Sequence, residues 1–339
     1  MRFGLGMMGD TPLPAIATRA KLLEQLDYDQ LWMADERLMR NLYSCLTVAA
    51  LETAQIGVGT AVTNPYTRSP ALTAAAIATI DEASGGRAVL GLGAGGGIGQ
   101  YGIDRSRPAI ALRETVEIVR RLTAGERVSF EGKVFSMSEI ELNFVPLRAI
   151  PIYLAARGPR ILELAGEIAD GVIMGGFALR AGLEFARSCI QTGLSNSGRS
   201  WTDLEVVSWL YTSVDDNPET AREAVSWLVF TSLITSRPIL DQIGIAIPAA
   251  LRDHLDRTGW SLTPDSIAVG KTLLNAEMLD AFSVTGTPSQ CAAKLRDIAQ
   301  LGVDQIAMVP LCPNGVSFET MARRIATDVL PLVTHGSGI

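Results

Sequence analysis

Two histidines in 339 residues leave little of the commonest general acid–base side chain. His254 and His335 both fall away from any predicted strand end, so imidazole catalysis is not expected, and no Gly-x-Ser-x-Gly turn offers a serine nucleophile. Cysteine is scarce as well. Cys45, Cys189, Cys291 and Cys312 show neither Cys-x-x-Cys nor Cys/His spacing, so no metal site is expected and a reduced compartment is. Charged residues make up 19% of the chain, the net charge is −7 and no basic run occurs. Neither nucleic acid nor an anionic membrane is therefore an expected partner. No apolar run reaches the ~18 residues of a membrane span, and MRFGLGMMGD opens as a strand with no charged-then-apolar leader. A cytoplasmic location and a small-molecule ligand are therefore the expectation.

What is abundant is apolar and glycine-rich sequence: 47% hydrophobic residues and 32 glycines, enough for a large core and tight strand–helix turns. Short apolar runs alternate with amphipathic stretches along nearly the whole chain. RFGLGM, QLWMA, IGVGTAV, RAVLGLG, IPIYLAA, DGVIMGG, LEVVSWLYTSV and DQIAMVP read as eight buried strands, and all but the seventh lead promptly into a helix. A polar hairpin, RVSFEGKVFSMSEIELNF, interrupts after the fourth unit. The rhythm predicts an α/β fold, a (β/α)8 TIM barrel forming a single domain over 1–339, rather than an open doubly wound sheet. Between strands 7 and 8 the stretch Asn217 to Gly302 predicts an insertion, with a helical region at about 231–285.

A barrel places its site at the C-terminal strand ends. Those ends are Met7-Met8-Gly9, Asp35-Glu36, Ala61 to Asn64, Gly93 to Gly97, Ala156-Arg157-Gly158, Gly175-Gly176 and Pro310. The set is rich in glycine and turn backbone and poor in nucleophiles, which suits a large flat cofactor. LGLGAGGGIG, Leu90 to Gly99, superficially matches a dinucleotide fingerprint, but no helix follows at once and no acidic residue closes the next strand. A glycine floor, with backbone close to a ring or phosphate, is the better reading. Gly158-Pro159 opens a helix whose free N–H groups face the strand ends, beside the fixed charge of Arg157. Asp35-Glu36 supplies carboxylates that accept from a ring N–H or act as acid or base.

TAVTNPYTRSPALTAAAIATIDEASGGRAVLGLGAG resembles the luciferase-like flavin/deazaflavin oxidoreductase superfamily, and within it the coenzyme F-420-dependent methylenetetrahydromethanopterin reductase-like branch. LWMADERLMRNLYSCLTVAALET, IPIYLAARGPRILELAGEIADGVI and AFSVTGTPSQCAAKLRDIAQLGVDQIAMVP extend the resemblance over nearly the full chain. It implies a (β/α)8 barrel, a homodimer, and a bulged third strand whose non-prolyl cis peptide, Ala61–Val62 here, backs the ring. It implies further that Asp35 and Asn64 touch the ring or its ribityl chain, that Ala94-Gly95 lines the site, and that Arg157 and Gly158 hold the phosphate. Gly175 and Gly176, closing strand six, complete the expected cofactor-binding set.

The chain also departs from that pattern. Glu36 stands where relatives commonly carry histidine, Gly6 and Gly96 stand where they carry acids, and GGFALR after strand six lacks the cations that hold a sugar phosphate. Glu36 is then the candidate for proton transfer, in a substrate pocket of Met7, Met8, Gly96 and Phe177 with Trp32 near, where burial would raise its pKa. The expected activity is hydride transfer between the C5 of coenzyme F-420 and a small organic substrate. An FMN-dependent monooxygenase and a non-catalytic flavin-binding barrel are the alternatives. Tyr66, Thr67 and Arg68 are expected to anchor their loop or a dimer contact, and Ser69 to cap the next helix.

Overall fold

The structure is a computed structural model and describes residues 1–36 and 38–335. The chain divides into two compact units. The first comprises Arg2–Ile173 with Cys189–Val206. Its elements are β1 (Arg2–Met7), α1 (Leu13–Gln25), β2 (Gln30–Met33), α2 (Leu42–Glu52), β3 (Gly57–Thr60), α3 (Pro70–Ser84), β4 (Ala88–Gly93), α4 (Pro108–Thr123), β5 (Val128–Glu131), β6 (Ser136–Ile140), β7 (Ile152–Ala156) and α5 (Pro159–Ile168). β8 (Gly171–Gly175) and α6 (Arg180–Ser197) each run across the unit boundary.

Strands β1, β2, β3, β4 and β7 lie parallel in that order, with Leu5 opposite Leu31, Leu31 opposite Val58 and Leu90 opposite Ile152. All of these leucine, valine and isoleucine side chains are fully buried, as expected of a parallel sheet covered on both faces. The Trp32 indole also sits in the core, its ring centroid 6.1 Å from that of Tyr153. Helix ends follow from local chemistry. α3 starts with Pro70 in its first turn and stops at Gly85 in the left-handed region, but Ser69 makes no side-chain capping bond, contrary to expectation. The Arg87 guanidinium takes the carbonyls of Ala50 and Thr53, the orphan acceptors at the end of α2. The predicted hairpin forms as the antiparallel pair β5–β6, held by the buried Glu114 carboxylate, which accepts from the N–H groups of Lys133, Val134 and Phe135.

The second unit contains Met174–Ser188 and the chain from Val207 onward. β9 (Glu205–Val214) pairs in parallel with β11 (Gln305–Pro310) along Val207 to Thr212, and with β10 (Ser283–Gly286) along Tyr211 to Val214. Between β9 and β11 come α7 (Pro218–Thr235), α8 (Ala249–Arg257), α9 (Pro264–Gly270), α10 (Ala276–Phe282), β10 and α11 (Pro288–Ala299), and after β11 come α12 (Phe318–Arg324) and α13 (Leu330–His335). The short strand β10 falls at the end of the region predicted to be helical. SVTG offers too few residues to show a period-2 pattern, and its strand conformation comes from pairing with β9. The succession of parallel strands and helices is that of the (β/α)8 fold.

Candidate functional site

Of the expected site residues of the first unit, Asp35, Asn64 and Gly95 come together where β3 is interrupted. β3 pairs with β4 in step at Val58–Ala88 and Gly59–Val89, and pairing resumes at Thr63–Leu92. Four steps along one chain therefore match three along the other, which is a β-bulge. The Ala61–Val62 peptide inside it is cis, as the resemblance implied. Ala61 N–H donates to the Met33 carbonyl at 2.7 Å and Thr63 N–H to the Gly91 carbonyl at 3.1 Å. The Thr60 hydroxyl fills the gap in the ladder, donating to the Gly91 carbonyl and accepting from its N–H, each at 2.7 Å.

The bulge dictates the glycines opposite. A Cβ on Gly91 would lie 2.1 Å from the Thr60 carbonyl oxygen, and one on Gly93 would lie 2.6 Å from Val62 Cγ2. This corrects the reading of the first part of LGLGAGGGIG: Gly91 and Gly93 make room for the neighbouring strand. The ligand-floor reading stays with the next residues. Ala94 and Gly95 are half-buried and Gly96 is exposed, with nothing within 4 Å of where its Cβ would be. Gly95 has a φ of 73°, and its carbonyl accepts from Arg105.

At the rim, Asp35 follows β2, and its Oδ2 accepts from the Thr63 hydroxyl at 3.0 Å. Desolvation by its surroundings raises its pKa above the ordinary value, partly opposed by the Thr63 hydrogen bond and the Arg68 charge, although the residue as a whole is exposed. Asn64 is buried, and its Oδ1 accepts from the N–H groups of Tyr66 and Thr67, which leaves Nδ2 as its group for a ligand. Tyr66 donates to the Ser106 carbonyl at 2.8 Å and Arg68 lies over the Tyr43 ring at 4.8 Å, so both anchor the loop. Glu36 is exposed. The expected burial is not met, because the chain leaves the sheet at Met33 and carries the side chain to the surface. Thr63 was missed as the partner of Asp35, and Tyr43 as the phenol behind Thr63. The available signal was a hydroxyl and a phenol in otherwise apolar runs, IGVGTAVT and NLYSCLTVAAL.

At the end of β7, Arg157 and Gly158 are half-buried, and Gly158 occupies the N-cap of α5 with no side chain on the first-turn N–H groups. A cavity of about 320 Å³ opens beside this turn, lined by Arg107, Pro108, Ala109, Ile110, Arg160 and Ile161. The substrate-pocket expectation needs correcting at two positions. Met7 is 2% exposed and packed into the core, whereas Met8 is half-buried. Phe177, in the second unit, is fully buried with its ring against Gly182 of α6, and presents no surface to a ligand. In the same unit Gly175 is half-buried, and Gly176, with a φ of 72°, donates its N–H to the Trp209 carbonyl.

A (β/α)8 chain whose polar groups and bare backbone collect around a bulged third strand defines a class of cofactor-binding barrel. The model of the luciferase-like monooxygenase family matches residues 1–305, and the chain belongs to that family. It is 36% identical over 340 residues to the 5,10-methylenetetrahydromethanopterin reductase of Archaeoglobus fulgidus, covering 98% of this chain and 99% of that one. The solved coenzyme F-420-dependent tetrahydromethanopterin reductase of Methanopyrus kandleri superposes with a TM-score of 0.86 at 28% identity, over 97% of this chain and 98% of that one. An F-420-dependent secondary alcohol dehydrogenase, 18% identical with a TM-score of 0.81 over 98% of both chains, shares the fold. The expected (β/α)8 class is thereby borne out.

Proposed function

We propose that this chain is a coenzyme F-420-dependent oxidoreductase that transfers a hydride between the deazaflavin C5 and a small organic substrate. The observation that carries it is the bulge after β3, edged by the Asp35 carboxyl and the Asn64 amide. The residues present fit such a group: a carboxylate acceptor, an open floor at Gly96, and an uncapped helix start beside Arg157. The bound deazaflavin supplies a two-electron carrier. Asp35 accepts from a ring donor, Asn64 Nδ2 donates, the first turn of α5 with Arg157 takes the phosphate, and Glu36 exchanges the substrate proton through its carboxyl oxygen. A relative at 36% identity reduces methylenetetrahydromethanopterin, so a methylene-bridged reduced pterin is the first substrate class to try. We also propose that the protein works as a cytoplasmic homodimer.

The test is titration of the cofactor-free protein with coenzyme F-420 and with FMN, followed by fluorescence. Micromolar or tighter binding of F-420 is expected. Binding of FMN with none of F-420 would overturn the proposal in favour of a flavin-dependent monooxygenase. F-420 bound without hydride exchange to any donor or acceptor would reduce the protein to a binding barrel.

A further inference from the structure

The Thr63 hydroxyl lies between two titratable side chains. On one side it donates to Asp35 Oδ2 at 3.0 Å. On the other stands Tyr43 of α2, whose hydroxyl is buried without a well-formed hydrogen bond and faces Thr63 and Thr73. Arg68, leading into α3, covers the Tyr43 ring and places its charge within reach of Asp35. With Glu36 beside it in the chain, these are the charged and titratable groups about the Asp35 carboxyl among the described residues.

Thr63 is held hard in this position. It is 1% exposed, its N–H donates to the Gly91 carbonyl, and its carbonyl accepts from Gly93 N–H at 2.8 Å. A threonine hydroxyl has one proton to give. Given to Asp35, it favours the ionised carboxyl and leaves Oδ1 as the open acceptor.

We propose that Thr63 is a positioning residue, whose hydroxyl keeps the Asp35 carboxyl ionised and turned to accept from the cofactor. This rests on the reading of Asp35 as a contact of coenzyme F-420. Valine matches threonine in shape and lacks the donor, whereas serine keeps the donor and drops the methyl, so the two substitutions separate hydrogen bonding from packing.

The experiment is a carbon-13 titration of cofactor-free protein labelled at aspartate carboxyls, with the Asp35 signal assigned by its loss in Asp35→Asn. Thr63→Val should raise the Asp35 midpoint by about one pH unit, and Thr63→Ser should leave it near the native value. F-420 affinity at pH 7 should fall about three- to tenfold in Thr63→Val and recover in Thr63→Ser. Should the valine branch disturb the bulge, seen as loss of cooperative melting, Thr63→Ala carries the same prediction. An unmoved midpoint in the donor-less variants, or an equal shift in Thr63→Ser, overturns the proposal. A midpoint shifted in Thr63→Val, together with a native protein that binds no F-420, supports the Thr63–Asp35 coupling and sinks the cofactor reading instead.

Discussion

Desolvation holds the Asp35 carboxyl above its ordinary 3.8, against the pull of the Thr63 hydroxyl and the Arg68 charge. A group whose pKa is raised on folding stabilises the protein fully below its unfolded value and loses that contribution as pH rises through the folded value. Ionised Asp35 therefore costs stability at neutral pH. Asp35→Asn should melt above the native protein at pH 7, and the advantage should vanish near pH 4, as paired thermal scans at the two values will show. Its affinity for F-420 should move the other way, because asparagine replaces the charged acceptor by a neutral one. Glu36→Gln tests the neighbouring carboxyl: as an exposed substitution it should leave melting and affinity unchanged while lowering turnover at least about tenfold. Unchanged turnover removes Glu36 from the mechanism. At this scale the sequence was only partly legible. Position at a strand end put Met7 and Phe177 on the list of pocket residues, yet it does not say which way a side chain faces, and both turn into the core.

Elements were easier to read than side chains, because a buried parallel strand is written as a run and a covering helix as a period. The eight expected strands appear as β1, β2, β3, β4, β7, β8, β9 and β11. β10 was lost because four residues carry no period. The glycines of β4 show a different limit. Their spacing looked like ligand chemistry, but its cause is a bulge in the adjacent strand, a long-range constraint invisible from β4 alone. That cause is testable. Gly91→Ala should cost about 3 kcal/mol by overpacking against the Thr60 carbonyl, a rigid backbone atom with no rotamer to give way. Gly96→Ala, made in open space, should leave stability within about 0.5 kcal/mol. Equal melting of the two variants would show that the bulge does not set the glycine pattern.

For the whole molecule, the net charge of −7 provides no long-range attraction for an anionic cofactor, so affinity has to come from local groups. On the proposed reading the first turn of α5 with Arg157, the Asp35 acceptor and the Asn64 amide are such groups, and each depends on a folded backbone that the unfolded chain lacks. A ligand that binds only the native state stabilises it by mass action, about 2.7 kcal/mol at a hundred times its Kd. Unfolding entropy scales with length at roughly 2.1 cal/mol/K per residue, so for a chain of 339 residues that free energy corresponds to a rise of roughly 4 °C in Tm. Coenzyme F-420 should produce this shift, growing with the logarithm of concentration above Kd. FMN at equal concentration should move Tm by less than about 1 °C, because occupancy below Kd leaves the logarithm near zero. The opposite order, with FMN raising Tm and F-420 without effect, would assign the site to a flavin even in a preparation that shows no turnover.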